Sequence, residues 1–247
     1  MPTKLRFINV NTLKILAAVF MVIDHIGLML FPHTIILRIV GRMSFPLFAF
    51  AISEGCRYTR NKTKHFLLIA LCALACQIFY YFFSDGSLQM CVFVTFAWSV
   101  LLIYAMQFFK KTLFDGSPLS RQILSALLFL STVFGAHAFC EAFVVDYGFW
   151  GCMLPVFASV FDFQRIPAPE KTQKLDCLPL RVLLLGVGTL LMVISYLPVR
   201  LYFYAFLAIP LLLLYNGEKG SWRLKYFFYI FYPLHLAILQ GIYWLIT

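Results

Sequence analysis

The sequence predicts an all-α, polytopic integral membrane helix bundle with about nine transmembrane helices and a cytoplasmic N-terminus. Of its 247 residues, 62% are hydrophobic and only 12% are charged, whereas soluble domains average about 25% charged residues. Apolar stretches of about 20 residues, the length that crosses a bilayer, recur from one end of the chain to the other. No polar segment is longer than a loop, so we expect residues 1–247 to form a single transmembrane domain.

The apolar stretches place the predicted helices in order along the chain. Their expected bounds are 11–31, 34–56, 66–83, 90–109, 122–138, 149–163, 180–197, 199–215 and 226–246. Pro198 and Arg200 separate the seventh helix from the eighth, because proline ends a helix and arginine stays at the interface. One long kinked helix is the alternative there. The longest polar segment, 164–179, is a predicted cytoplasmic loop, and the lack of an internal repeat disfavours an inverted-repeat transporter.

The net charge of +10 follows the expected topology. Most of the Lys and Arg residues fall in alternate loops, whereas Arg200 lies in a loop on the opposite side. The positive-inside rule therefore places the basic loops and the N-terminus in the cytoplasm. In a soluble protein this charge would indicate nucleic-acid binding, which the hydropathy excludes. The first apolar run is too long for a cleaved signal peptide, so we expect a retained first helix.

The seven cysteines show neither metal-ligand spacing nor a CxxC motif, so we expect no metal site. Cys72 and Cys76 lie four residues apart on an apolar helix and are interpreted as packing residues. Cys91, Cys140 and Cys152 fall near the outer side of the membrane, where cysteines can form disulfides, but their spacing does not indicate one.

Asp24 and His25 lie side by side in the apolar stretch 15–31. Ionisable residues at membrane depth are costly and face a polar interior, so they mark functional sites. The second helix supplies Arg42, and both His25 and Arg42 lie roughly 9–12 Å below the outer helix ends. We expect Asp24 to pair with Arg42, because adjacent helical residues point about 100° apart and His25 therefore remains free to accept a proton. A salt bridge with no catalytic part is the alternative.

The first helix also carries a stripe of residues that begins with Lys14. Lys14 and His25 are eleven residues apart, close to three turns, and Ala18 and Met21 lie on the same face. Such a face suits the wall of a tunnel for an elongated anionic cofactor. The alternative is that Lys14 only extends its ammonium to the inner interface. His235, near the middle of the last helix, is a candidate for proton relay or for a hydrogen bond to a neighbouring helix.

Polar residues near the helix ends complete the set of candidates. Glu54, at the inner end of the second helix, is expected to pair with the basic loop that follows it. Asp146 and Tyr147, at the outer entrance of the sixth helix, either meet an acceptor or cap that helix. The loop 57–65 either sets the topology and contacts lipid phosphates or captures the phosphates of a nucleotide-like cofactor. Its candidate cations are Arg57, Arg60, Lys62 and Lys64.

Several strings of the sequence resemble the TraX family over nearly the whole chain. The most specific are Asp24-His25-Ile26-Gly27 and Tyr232-Pro233-Leu234-His235. The others are Leu13-Lys14-Ile15, Gly41-Arg42, Phe45-Pro46, Glu54-Gly55, Tyr58-Thr59-Arg60-Asn61 and Asp146-Tyr147-Gly148. The family name comes from conjugation, where the founding member is linked to acetylation of the pilin N-terminus. The resemblance therefore implies an acyltransferase of the inner membrane that uses acetyl-CoA.

On this resemblance, the chain would move an acetyl group from cytoplasmic acetyl-CoA to an amine or hydroxyl acceptor, such as a pilin N-terminus or an envelope glycan. His25 would act as general base, and Arg42, positioned by Asp24, would stabilise the oxyanion. His235 would relay a proton or orient the acceptor, and Lys14 would hold CoA phosphates together with the loop 57–65.

The resemblance also implies residues near the acceptor. These are Glu54, Asp146, Tyr147 and Tyr232. Two alternatives stay open at this point. The buried ionisable residues also suit a proton-coupled transporter, and a non-catalytic assembly factor for a pilus or secretion machine would need none of them.

Overall fold

The computed structural model describes residues 6–83, 89–220 and 227–246. In this part of the chain the regular structure is helical, and β-type pairing is confined to isolated bridges. The predicted all-α class is confirmed. The α-helices are α1 Val10–Met29, α2 Ile35–Gly41, α3 Ser44–Tyr58, α4 Lys62–Phe83, α5 Val92–Phe114, α6 Leu119–Ala142, α7 Gly148–Ser159, α8 Glu170–Gln173, α9 Leu178–Ser195, α10 Ala208–Leu213 and α11 Phe227–Ile246, with a 3₁₀ helix at Arg200–Leu207.

The chain is a membrane protein by the length and hydropathy of its helices. Among the described residues, 5 helical segments are long and apolar enough to cross a bilayer. They are Val10–Met29, Ile35–Tyr58, Val92–Phe114, Leu119–Ala142 and Leu178–Ser195. Shorter apolar helices lie at Gly148–Ser159, Arg200–Leu213 and Ile230–Ile246. The predicted total of about nine spans and the cytoplasmic N-terminus stay predictions.

Two predicted helices are interrupted in the structure, and others differ at their ends. The second, expected to be continuous over 34–56, is interrupted between α2 and α3, because Pro46 has no N–H to donate to the carbonyl of Arg42. The eighth, expected over 199–215, is a 3₁₀ segment followed by the short α10, and Pro210 has the same effect there. The sixth, expected to reach residue 163, already ends at Ser159.

The first compact unit comprises residues 1–51 and 189–247. Its helix α1 packs along α2 and α11. Asn9 begins α1, since its side-chain oxygen accepts a hydrogen bond from the Thr12 amide at 3.0 Å. This unit contains Asp24, His25, Arg42 and His235, the residues that the sequence singles out most strongly.

The second compact unit comprises residues 52–188. Its central helix is α5, which packs against α4, α6 and α7. Ser99 of α5 donates a hydrogen bond to the Cys152 carbonyl at 2.8 Å, and Thr95 donates one to the Asp146 carbonyl at 2.6 Å. These bonds tie α5 to α7, whereas α6 presents most of its leucines outward, as a lipid-facing helix does.

The cysteines are free thiols. Cys76 is buried and Cys72 is half-buried in α4, as packing residues are. The sulfur atoms of Cys140, in α6, and Cys152, in α7, lie 3.9 Å apart without a bond between them.

Candidate functional site

The polar site of the first unit is built where α1 and α2 approach each other closely. A Cβ added to Gly41 would lie 2.3 Å from the Asp24 Cβ, and one added to Gly27 would lie 2.7 Å from the Leu37 Cβ. Real side chains do not approach so closely, so both positions require glycine. Small residues of this kind let membrane helices pack backbone to backbone. The contact brings the Asp24 carboxylate within reach of the next helix.

Asp24 is held by two arginines rather than one. Its carboxylate accepts a hydrogen bond from Arg42 Nε at 3.2 Å and a second from Arg42 Nη2. Arg38 Nη1 donates to the same carboxylate at 2.9 Å and to the Asp24 carbonyl at 3.0 Å. The predicted pairing of Asp24 with Arg42 is confirmed, and Asp24 and Arg42 are buried.

The sequence analysis missed Arg38. One signal could have found it, because Arg38 lies four residues before Arg42 in an apolar stretch and helical residues at that spacing share a face. Two guanidinium groups against one carboxylate leave a surplus positive charge in the cluster. Arg42 also lies over the ring of Tyr202, with its guanidinium carbon 5.5 Å from the ring centroid.

The two candidate histidines are in contact. His25 Nδ1 lies 3.1 Å from His235 Nε2, and the ring centroids are 5.0 Å apart. The Nδ1 atom of His25 therefore has His235 as a partner, and that His25 is free to accept a proton stays a prediction for its Nε2 atom. Since 210 residues separate the two histidines, no local spacing in the sequence could have paired them.

The hydrogen bonds of this pair assign its tautomers. His235 Nδ1 lies 3.0 Å from the carbonyl oxygen of Phe231, so Nδ1 must be the donor there. In a neutral His235, Nε2 is then the acceptor, and His25 Nδ1 donates to it. A neutral His25 consequently carries its basic lone pair on Nε2. A backbone carbonyl of α11 thus determines which atom of His25 can take a proton.

Lys14 lies on the same helix as His25, and Tyr232 lies on the same helix as His235. Lys14 Nζ lies 5.8 Å from the ring centroid of Phe228, so the face of α1 that carries Lys14 and His25 meets α11 at both positions. Tyr232 is buried, and its ring centroid is 5.5 Å from that of His235. Tyr232 therefore packs against the histidine pair formed by His25 and His235.

Glu54 and Arg57 have different partners from those expected. Glu54 forms an ion pair with Arg181 of α9 at 2.5 Å, a partner outside the loop that was expected to bind it. Arg57 pairs with Asp162 at 3.1 Å and with Asp176 at 2.6 Å. Both arrangements join residues more than a hundred positions apart, which the sequence cannot reveal. The Arg57 guanidinium is therefore already engaged by two carboxylates.

The other cations of the loop are exposed. Arg60, Lys62 and Lys64 lie at the start of α4, and Lys62 Nζ lies 5.1 Å from the ring centroid of Tyr104. Partial burial lowers the pKa of the Lys62 ammonium, and the positive charges of Arg165 and Lys111 lower it further. This segment is the most basic surface among the candidates in the second unit.

Capping of α7 was one of the two alternatives for Asp146 and Tyr147, and the residue at the N-cap position is Tyr147. Tyr147 occupies the N-cap position with a left-handed backbone, φ 61°, and its side chain makes no cap hydrogen bond. Asp146 Oδ1 instead accepts a hydrogen bond from Gln89 Nε2 at 3.2 Å. In the described part of the chain, no group of three His, Cys, Asp or Glu residues is arranged to hold a metal ion.

The sequence of this chain matches a known protein family. The family model described as TraX protein matches residues 9–243. A probable fimbrial assembly protein FimC, serogroup H1, of Dichelobacter nodosus is 26% identical over 237 residues, which is 92% of each chain. An uncharacterized protein of Rickettsia prowazekii is 44% identical over 54 residues, 22% of this chain and 21% of that protein. No solved structure matches the chain.

Proposed function

The chain belongs to the TraX family, and from this premise we propose that it is a membrane-embedded acetyltransferase. It moves an acetyl group from cytoplasmic acetyl-CoA to an amine or hydroxyl acceptor. The contact between His25 and His235 beside a buried Asp24–arginine cluster is the observation that supports this proposal most. A hydrogen-bonded histidine with a defined tautomer is a suitable general base.

In the proposed reaction, the acceptor nitrogen or oxygen attacks the carbonyl carbon of the thioester. His25 Nε2 takes the proton that the acceptor loses. The carbon–sulfur bond then breaks, and CoA leaves as the thiol by taking from His25 Nε2 the proton that the acceptor lost. The products are the acetylated acceptor and CoA. A general base of this kind typically accelerates a reaction by about 10²–10⁴-fold.

His235 has a positioning role in this proposal. Its Nε2 accepts a hydrogen bond from His25 Nδ1–H and so keeps His25 in the tautomer with a basic Nε2. This replaces the direct proton relay that the sequence suggested as one option. When His25 gains a proton during the reaction, the same hydrogen bond stabilises the imidazolium.

The arginine cluster provides charge for the transition state. Asp24 neutralises one of its two guanidinium groups, so the pair formed by Arg38 and Arg42 keeps one net positive charge. A fixed positive charge in a site that excludes water stabilises a developing oxyanion. We assign this role to Arg42, and we assign to Arg38 the task of holding Asp24.

The phosphates of CoA need cations on the cytoplasmic side. Because Arg57 is engaged by Asp162 and Asp176, we assign the phosphates to the exposed cations Arg60, Lys62 and Lys64. Lys14 remains a further candidate for binding a phosphate of CoA.

The acceptor is proposed to be a pilin N-terminus or an envelope glycan. The Dichelobacter relative is named as a probable fimbrial assembly protein, which favours a role at a pilus. The same name also favours a second candidate function, a non-catalytic assembly factor. That candidate predicts that the chain binds no acyl donor.

The donor can be tested with the detergent-purified protein. We expect acetyl-CoA and CoA to raise its melting temperature, whereas ATP at the same concentration raises it much less. At one hundred times the dissociation constant, a ligand adds about 2.7 kcal/mol of stability. A shift that is equal for all three compounds would indicate unspecific anion binding, and no shift would favour the assembly factor or a proton-coupled carrier.

A further inference from the structure

A small cavity lies in the second unit beside the first turn of α4. Its volume is about 60 Å³. Its lining includes Cys56, Lys62, Lys111, Asp162 and Arg165. A cavity needs about 10–15 Å³ of such volume to hold one water molecule, so this cavity has room for a small anionic group.

The acidic side chain in this lining is already neutralised. Asp162 accepts hydrogen bonds from Arg57 at 3.1 Å, from Gln107 at 3.2 Å and from the Gln164 amide at 3.2 Å. Asp162 is buried, so its carboxylate faces these donors and not the solvent. The carboxylate is consequently part of the wall that holds Arg57 in place.

Three cations of the lining form no ion pair with a carboxylate within 4.0 Å in the part of the chain that the structure describes. They are Lys62, Lys111 and Arg165. All three are exposed, so a ligand can reach them from solution. They come from the start of α4, the last turns of α5 and the segment after α7, and the fold therefore brings like charges to one place. The mutual repulsion of these cations is relieved when an anion lies among them.

Two of these cations are held in position. Arg165 donates from Nη2 to the Tyr58 carbonyl at 3.0 Å and from Nη1 to the Thr59 carbonyl. The Lys62 ammonium lies over the Tyr104 ring. Lys62 is also the first residue of α4, and the first-turn amides of a long helix add partial positive charge at this point. These contacts restrict Arg165 and Lys62, which lowers the conformational entropy that the two side chains would lose on binding an anion.

We propose that this cavity binds the 3′-phosphate of CoA through Lys62, Lys111 and Arg165. A phosphomonoester carries up to two negative charges and three acceptor oxygens, which suits three cations around a small volume. The inference rests on the proposed use of acetyl-CoA, and it adds Lys111 and Arg165 to the residues that recognise the donor.

The test compares CoA with 3′-dephospho-CoA on the full-length protein in detergent by isothermal titration calorimetry. We expect the wild type to bind CoA at least about tenfold more tightly than the dephosphorylated form. The reason is that each hydrogen bond to a charged phosphate oxygen adds to the free energy of binding. Lys111→Ala and Arg165→Ala should weaken CoA binding and leave 3′-dephospho-CoA binding unchanged. Lys171→Ala, an exposed lysine outside the cavity, is the matched control and should behave as the wild type.

The outcomes separate this inference from the proposed function. Equal binding of both compounds by the wild type would overturn the 3′-phosphate site and leave the donor assignment intact. Equal losses for both compounds in the two variants would also overturn it, because the residues would then support the fold and not the phosphate. Failure of both compounds to bind would remove the donor assignment, and this inference with it.

Discussion

At the residue scale, the Asp24 cluster is the costliest arrangement in the first unit. A buried carboxylate and two buried or half-buried guanidinium groups have all left water. Their mutual attraction compensates for this only while every partner is present. The cluster therefore couples the position of Arg42 to the integrity of the contact between α1 and α2.

Replacing Asp24 by Asn should destabilise the protein by about 3–5 kcal/mol, because Arg38 and Arg42 would then repel each other without compensation. The free energy of unfolding in detergent, followed by tryptophan fluorescence against denaturant, measures this effect. Asp115→Asn, in the exposed turn after α5, is the control and should change stability by less than about 0.5 kcal/mol. A loss for Asp24→Asn as small as that of the control would contradict the described cluster.

Some contacts of these residues could be predicted from the sequence, and others could not. Asp24 and Arg42 could be paired from the sequence, since a short turn joins two antiparallel helices and depth follows from counting residues. The contact between His25 and His235 could not be predicted, because it depends on how α11 packs against α1. The partners of Glu54 and Arg57 were inaccessible for the same reason.

At the element scale, the close contact of α1 and α2 positions the site. Gly41 stands where any side chain would strike the backbone and side chain of Asp24, with atoms at 2.3–2.6 Å. Hydropathy predicts that both helices exist, but the absence of a side chain at one position decides how near they come. A proline in the sequence likewise predicts a helix break only weakly, because proline is common in membrane helices.

Gly41→Ala should destabilise the protein by about 1–3 kcal/mol, the usual range for overpacking, although alanine favours a helix. The melting temperature of the purified variant measures this. Gly135→Ala is the matched control in α6, because a Cβ there would first meet Trp98 at an ordinary 3.8 Å. We expect the control to be neutral or stabilising. Two variants with equal melting temperatures would show that α1 and α2 are less tightly packed than described.

At the scale of the whole molecule, the chain is a helical membrane protein of the TraX family. The composition and the apolar stretches of the sequence predict the helical membrane class. The number of membrane spans is harder to predict. Segments such as α7 are apolar but only 12 residues long, about 18 Å at 1.5 Å per residue, whereas the hydrocarbon core is about 30 Å thick. Apolar runs in the sequence therefore do not map one to one onto spanning helices.

The most direct test of the account is acetyl transfer by membranes that contain this chain. Inside-out membrane vesicles from the native cells would receive radiolabelled acetyl-CoA, and the label in the protein and glycan fractions would be counted. We expect labelling with the wild type and with the exposed-loop control His33→Ala, and a loss of about 10²-fold or more with His25→Ala at equal protein levels. Undiminished labelling with His25→Ala would contradict the account.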